Sequence, residues 1–235
     1  MLRRLVPLLL AALLAVAGCG GGEDGAAAGQ ATLWVTRNRG STVLVDAQVD
    51  AGQTLLRALR SQADVDTRYG GRFVQAIEGV EGSLSKRRDW FWFVNGIEGD
   101  RSAVEYRLRA GDVAWWDFRA WAGQERAPVV VGAFPEPFVH GWNGEVRPAA
   151  VRYAPGLAAA GRRIATRLGA TSVEPEGTPV ADDANLFWLV AGPPRFAAAE
   201  RTPGAGAGSP VVFTFAGDVD ALLEGGLGRR EYTLR

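Results

Sequence analysis

The residues able to do chemistry in this chain are few. His140 is the only histidine and stands in the loop PFVHGWNG beside Trp142. A Ser-His-acid relay would have to be built around it, and no GxSxG elbow is present to carry the serine. Zinc would need Cys or His ligands in number, and the chain has one of each. Asp182-Asp183 with Glu174 and Glu176 could hold a hard cation only weakly. They lack EF-hand spacing and read as a solvated acidic loop. Arg162, Arg163 and Arg167 form a solvated basic helix face. The stretch GAGAG at 204–208 has neither the lysine nor the following helix of a phosphate loop. The pattern predicts a protein that is not an enzyme, with no metal and no cofactor.

Cys19, the only cysteine, is placed for a different reaction. Arg3 and Arg4 give a basic start, and residues 5–14 form an apolar run shorter than the ~20 residues a spanning helix needs. Val16-Ala17-Gly18 then leads into Cys19. These features describe a secretory signal peptide, and the ending VAGC resembles the lipobox of bacterial lipoproteins. The resemblance implies cleavage after residue 18, lipidation of Cys19 and attachment to the extracytoplasmic face of a cell membrane, where several acyl chains anchor firmly. With Cys19 so used, no disulfide is possible. Residues 20–29, GGGEDGAAAG, lack apolar periodicity. Within a tether assigned to 19–30 they reach roughly 17–19 Å as a coil.

The whole chain carries 26 basic and 26 acidic residues, and loss of Arg3 and Arg4 with the leader leaves a net charge of −2. This is not the basic footprint of a nucleic-acid binder. Past the leader, the chain is long enough for one large or two small domains.

The first of these is assigned to residues 31–124. TLWVTRN and TVLVDAQV alternate as strands and meet through Arg39-Gly40-Ser41, which predicts a hairpin. In DAGQTLLRALRSQ, Asp50 and Gln53 have capping-box spacing, and Leu55, Leu56 and Leu59 share a helical face. Tyr69-Gly70-Gly71 breaks the pattern before the strand RFVQAI. DWFWFVNGIEG then sets Trp90, Trp92 and Val94 on one face and Phe91 and Phe93 on the other, and Asn95-Gly96 signals a tight turn. After AVEYRL and the turn Ala110-Gly111-Asp112, VAWWDFRAW is a last strand. One helix across a small mixed sheet is the economical arrangement: an α+β fold of β-grasp type.

The succession TLLRAL, FVQAIEGVEG, DWFWFVNGIEG and VEYRLRAGDVAWWDF resembles the transcobalamin-like C-terminal domain family, over about residues 32–121. Its members are β-grasp modules of bacterial surface lipoproteins and of the animal cobalamin carriers. There the module closes over cobalamin held by a helical barrel, which this chain lacks. The resemblance implies a module that covers a flat ligand or presents one to a partner.

Trp34, Trp90, Trp92, Trp115, Trp116 and Trp121 all fall in this segment. Any single one is explained by core packing. Trp90/Trp92 and Phe91/Phe93 take opposite faces, however, as do Trp115 and Trp116. With one helix to cover the sheet, one face should remain open as an aromatic patch of the kind that marks a contact surface. The expected ligand-binding residues are Trp90, Phe91, Trp92, Trp115, Trp116 and Asn95. Asn95 and Asp112 serve first as turn residues.

A second domain is assigned to residues 127–235, of α/β or α+β type. PVVVGAF is an apolar β run and VRYA a strand. PGLAAAGRRIATRLG is a helix with Pro155 in its first turn and Gly169 at its end. NLFWLVAG is a buried strand, residues 193–210 are a loop, and VVFTFAG leads to a short helix capped by Asp218. Two functions fit. One is capture of a small ligand, a corrinoid or cobalamin-like molecule, for hand-over to a membrane transporter. The other is docking of a surface or membrane partner through the aromatic face.

Overall fold

A computed structural model describes residues 29–234. Cys19, the leader and nearly all of the tether lie outside the described residues. The chain forms β1 (Gln30–Arg37), β2 (Thr42–Asp50), α1 (Leu55–Arg60), β3 (Val65–Arg68), β4 (Phe73–Ile77), β5 (Val80–Glu81), β6 (Arg88–Val94), β7 (Ile97–Glu98) and β8 (Val113–Ala120). These are followed by β9 (Ala149–Tyr153), α2 (Ala158–Leu168), β10 (Ser172–Pro175), β11 (Asn185–Leu189), β12 (Arg195–Glu200), β13 (Val211–Ala216) and α3 (Val219–Leu223). Mixed sheets with short helices make this an α+β protein.

The first sheet has the order β2-β1-β8-β6-β7, with β1 parallel to β8 and the other pairs antiparallel. The hairpin β1–β2 is as the alternation predicts. α1 is shorter than its pattern implies, and its cap is Thr54, whose side chain accepts from Arg57 N. Asp50 remains in β2, where its carbonyl accepts from Gln53. Leu55, Leu56 and Leu59 lie on one face of the sheet with Leu33, Val94 and Trp116. A small sheet, β3-β4-β5, extends that cover. Two of its strands, β3 and β5, are too short to carry a readable alternation.

The second sheet has the order β10-β9-β11-β13-β12, parallel except for the edge strand β12. β9, β13 and the Asp218 cap match the sequence pattern. α2 ends at Gly169 as expected but begins at Ala158, so Pro155 precedes the helix and is not in its first turn. β11 is a strand as expected but is not buried throughout, since Trp188 is exposed. Two further expectations fail. PVVVGAF is not a strand: Val131–Ala133 form one 3-10 turn, and the run is apolar because it is buried between the two sheets. β12 lies inside the stretch read as a loop, because Arg195 and the alanines that follow give it little β signal.

The two sheets stand on either side of residues 121–148, and the chain end returns to the first sheet. Tyr232 packs with Trp34, Phe93, Trp115 and Val130 on the face away from α1. The prediction of an open aromatic face is therefore overturned: one face is covered by α1 and β4, the other by residues 127–130 and Tyr232. Among the described residues most polar groups beneath that second cover are paired, with Arg119 Nε an exception. Asp117, fully buried, accepts from Thr36 Oγ1 at 2.7 Å, Arg39 N at 3.0 Å, Gly40 N at 3.1 Å and Tyr232 Oη at 3.0 Å. Trp115 Nε1 donates to Thr36 Oγ1 at 2.7 Å.

Candidate functional site

The first sheet is closed on its faces and interrupted at one edge. β7 returns along β6 for only two residues, Glu98 opposite Phe93 and Ile97 opposite Val94. Gly99 then donates its N–H to Trp92 O and the chain turns away. Toward the other end of β6, Ser83 exchanges both main-chain hydrogen bonds with Arg88. Between these two closures lies a cleft of about 330 Å3. Trp90, Trp92, Trp116 and Val74 line it from the α1 side of the sheet, and Phe91 from the other. Arg72, Arg101 and Arg126 belong to its charged rim.

Each side chain has a local cause for its position. Trp90 Nε1 is tied to Val80 O at 2.8 Å. Trp92 lies against Gly99, where a Cβ would stand 2.1 Å from the indole, so glycine is required there. The Trp92 indole also stacks on Trp142, centroids 6.1 Å apart and planes 14° apart. Arg119, wholly buried, sets its guanidinium 3.7 Å from the Phe91 ring. It donates to Glu98 Oε1 at 3.3 Å and to the carbonyls of Gln124 and Glu125. Glu98 also faces Arg126 at 3.5 Å. At the rim Arg72 pairs with Glu105, and Arg101 with Asp100. Such exposed pairs contribute little and yield readily to a competing group.

Burial raises the carboxyl of Asp89 above the usual range, and the N–H of Trp90 pulls partly the other way. The hydrogen bond from Arg101 holds Asp100 below it. One residue lining the cleft carries an unpaired donor: Trp116 is 2% exposed, and its enclosed Nε1–H has no partner among the described residues.

Of the residues expected to touch a ligand, Trp90, Phe91, Trp92 and Trp116 therefore meet at one cleft. Trp115 does not: it is buried under Tyr232 on the opposite face. Asn95 is also fully buried, donating from Nδ2 to Asp112 Oδ1 and Gly141 O, each at 2.8 Å, and accepting from Val113 N. Its place is structural. His140 Nδ1 lies 2.6 Å from Glu136 Oε1, whose carboxyl is raised by burial. No group of three or more His, Cys, Asp or Glu among the described residues is placed to hold a metal ion. Sequence reasoning missed Arg72, Arg101, Arg126 and Val74. A signal was present in Gly99-Asp100, which ends the return strand just past the Asn95-Gly96 turn and leaves β6 longer than its neighbour.

Residues 52–120 match a domain of unknown function, DUF4430. No curated protein matches the chain. Among solved structures, a "putative metal binding protein" of Ruminococcus gnavus ATCC 29149 is 18% identical, with TM-score 0.34, over 39% of this chain and 97% of that one. Haptocorrin in complex with Cbi is 16% identical, with TM-score 0.34, over 40% of this chain. The matched part spans a quarter of haptocorrin's length, 25%.

Proposed function

We propose that this chain is a non-catalytic extracytoplasmic lipoprotein, anchored through Cys19, whose β-grasp-like first sheet captures a small ligand at the edge of β6 for hand-over to a membrane transporter. One observation carries the reading. Aromatic side chains fill the interior of the first sheet everywhere except at the β6 edge, where four of them wall a cleft instead. Its volume lies at the small end of the ~300–1,000 Å3 of ligand pockets. Apolar walls with a few polar groups are the usual lining of such sites. A corrinoid remains the ligand class to try first, but the cleft admits only a side group or edge of so large a ring. The docking alternative rested on an open sheet face, and that face is covered.

The test is quenching of tryptophan fluorescence in the full chain by dicyanocobinamide and by 8-anilinonaphthalene-1-sulfonate, repeated with Ser102→Trp, which fills the cleft. Saturable quenching that Ser102→Trp removes is expected; no quenching by either probe or by the amide introduced below overturns the reading. The anchor has its own test. Cys19→Ser is expected to move the protein from the membrane to the soluble fraction, and its retention in salt-washed membranes would refute lipidation.

A further inference from the structure

The register of the first sheet shows which main-chain groups of β6 face the cleft. Asn95 N donates to Val113 O, so the odd-numbered residues of β6 bond to β8. The even-numbered ones, Arg88, Trp90 and Trp92, then turn their N–H and C=O to the outer edge. Arg88 is satisfied on both groups by Ser83, and Trp92 O by Gly99 N. Trp90 N–H is taken by Asp89 Oδ1 at 2.8 Å. Two groups are left among the described residues: the C=O of Trp90 and the N–H of Trp92, on either side of Phe91.

An acceptor at one residue and a donor two residues on is half of a parallel strand pairing. It is completed by one residue of an extended chain, whose N–H bonds to the first group and whose C=O accepts from the second. We propose that the ligand is a small amide, an N-acylated amino acid or a dipeptide, that completes this pairing opposite Phe91 and sets its apolar side chain among the cleft's aromatics. The proposal rests on the ligand-binding reading above and gives it a chemical class.

Three observations favour a small amide over a strand of a partner protein. The opening is one residue long and closed at both ends by Ser83 and Gly99, so a longer strand finds nothing to bond to. The volume fits one or two residues. The unpaired indole N–H of Trp116, which is on the same face as Trp90 and Trp92, supplies a further donor for an acyl oxygen. A buried donor without an acceptor costs free energy that a ligand carbonyl would recover.

The probe is N-acetyl-L-phenylalaninamide, titrated into the full chain and followed by 15N–1H spectra and fluorescence. Its ester analogue, with oxygen in place of the acetylated N–H, serves as control. Binding is expected to shift the Trp92 amide downfield and slow its hydrogen exchange. The ester, unable to donate to Trp90 O, is expected to bind roughly three- to tenfold more weakly. Trp116→Phe should weaken the amide probe by a similar factor while the Trp92 shift persists at saturation.

Equal affinity of amide and ester, or an unmoved Trp92 amide at saturation, overturns this inference alone. So does quenching by the dye or the corrinoid, sensitive to Ser102→Trp, with no binding of the amide. Failure of all three probes to bind overturns the ligand-binding reading together with it.

Discussion

Trp115 and Trp116 are neighbours in one strand, both buried, and they lie in two differently finished regions. On the Trp115 side, Tyr232, Val130 and Ala127 seal the sheet, and the polar atoms of Asp117, Thr36 and Trp115 bond to one another. Toward the cleft, among the described residues, Trp116 keeps an unpaired N–H, and β6 keeps a C=O and an N–H without partners at its edge. The contrast shows that burial alone does not distinguish the two sides. The hydrogen bonding of the indoles does: Trp115 Nε1 is bonded and Trp116 Nε1 is not, and folding leaves few buried donors unpaired.

The comparison breaks most visibly if the sealed side is not structural. Trp115→Ala is expected to destabilise the chain by about 3–5 kcal/mol, as for other buried aromatics, measured by denaturant unfolding. A cost under about 1 kcal/mol would show that the Tyr232 cover is not formed in solution.

A finer test sets Trp115→Phe against Trp116→Phe. Both shrink a buried ring, but only the first removes a hydrogen bond and leaves the buried Thr36 Oγ1 without its donor. Trp115→Phe should therefore cost about 1–3 kcal/mol more. Equal costs would mean that the Trp116 N–H has a partner in solution and that the two sides are alike.

The smallest effect is expected from pH. Burial raises the carboxyls of Glu136 and Asp112 between the sheets and of Asp89 at the β6 edge. Each holds its proton to a higher pH folded than unfolded, so the folded chain binds more protons between the two values. Stability is then greatest below the unfolded pKa and falls as pH rises through the folded one. Melting temperature is expected to decline as pH rises above the ordinary carboxylate range. Glu136→Gln should flatten that decline, and an unchanged slope would remove Glu136 as a contributor.

The sequence made the strands of the first sheet legible where alternation was long, as in β1, β2, β6 and β8. It missed β3, β5 and β10, each too short to show a period, and β12, whose alanines carry little β signal. The aromatic cluster was readable as a set, which is why four of its members meet at the cleft. Their sorting between seal and site was not, since the cover comes from Tyr232, more than a hundred residues beyond Phe118. Asn95 was readable as a turn residue from Asn95-Gly96, but its bond to Gly141 O depends on how residues 127–148 pack against the sheet.

The returning chain end also sets the order in which this protein can be completed. Tyr232 reaches Asp117 across 115 positions, and Arg230 reaches Asp46 across 184. Contacts this distant in sequence form slowly, because ordering the intervening chain precedes any gain from them. A chain emerging from its N-terminus exposes Trp34, Phe93 and Trp115 until the second sheet and residues 227–234 have followed. At ~5–20 residues per second this is an interval on the order of ten seconds. During that time the first sheet is an unfinished, sticky intermediate, so folding yield in the cell depends on shielding of the nascent sheet as well as on the stability of the finished one.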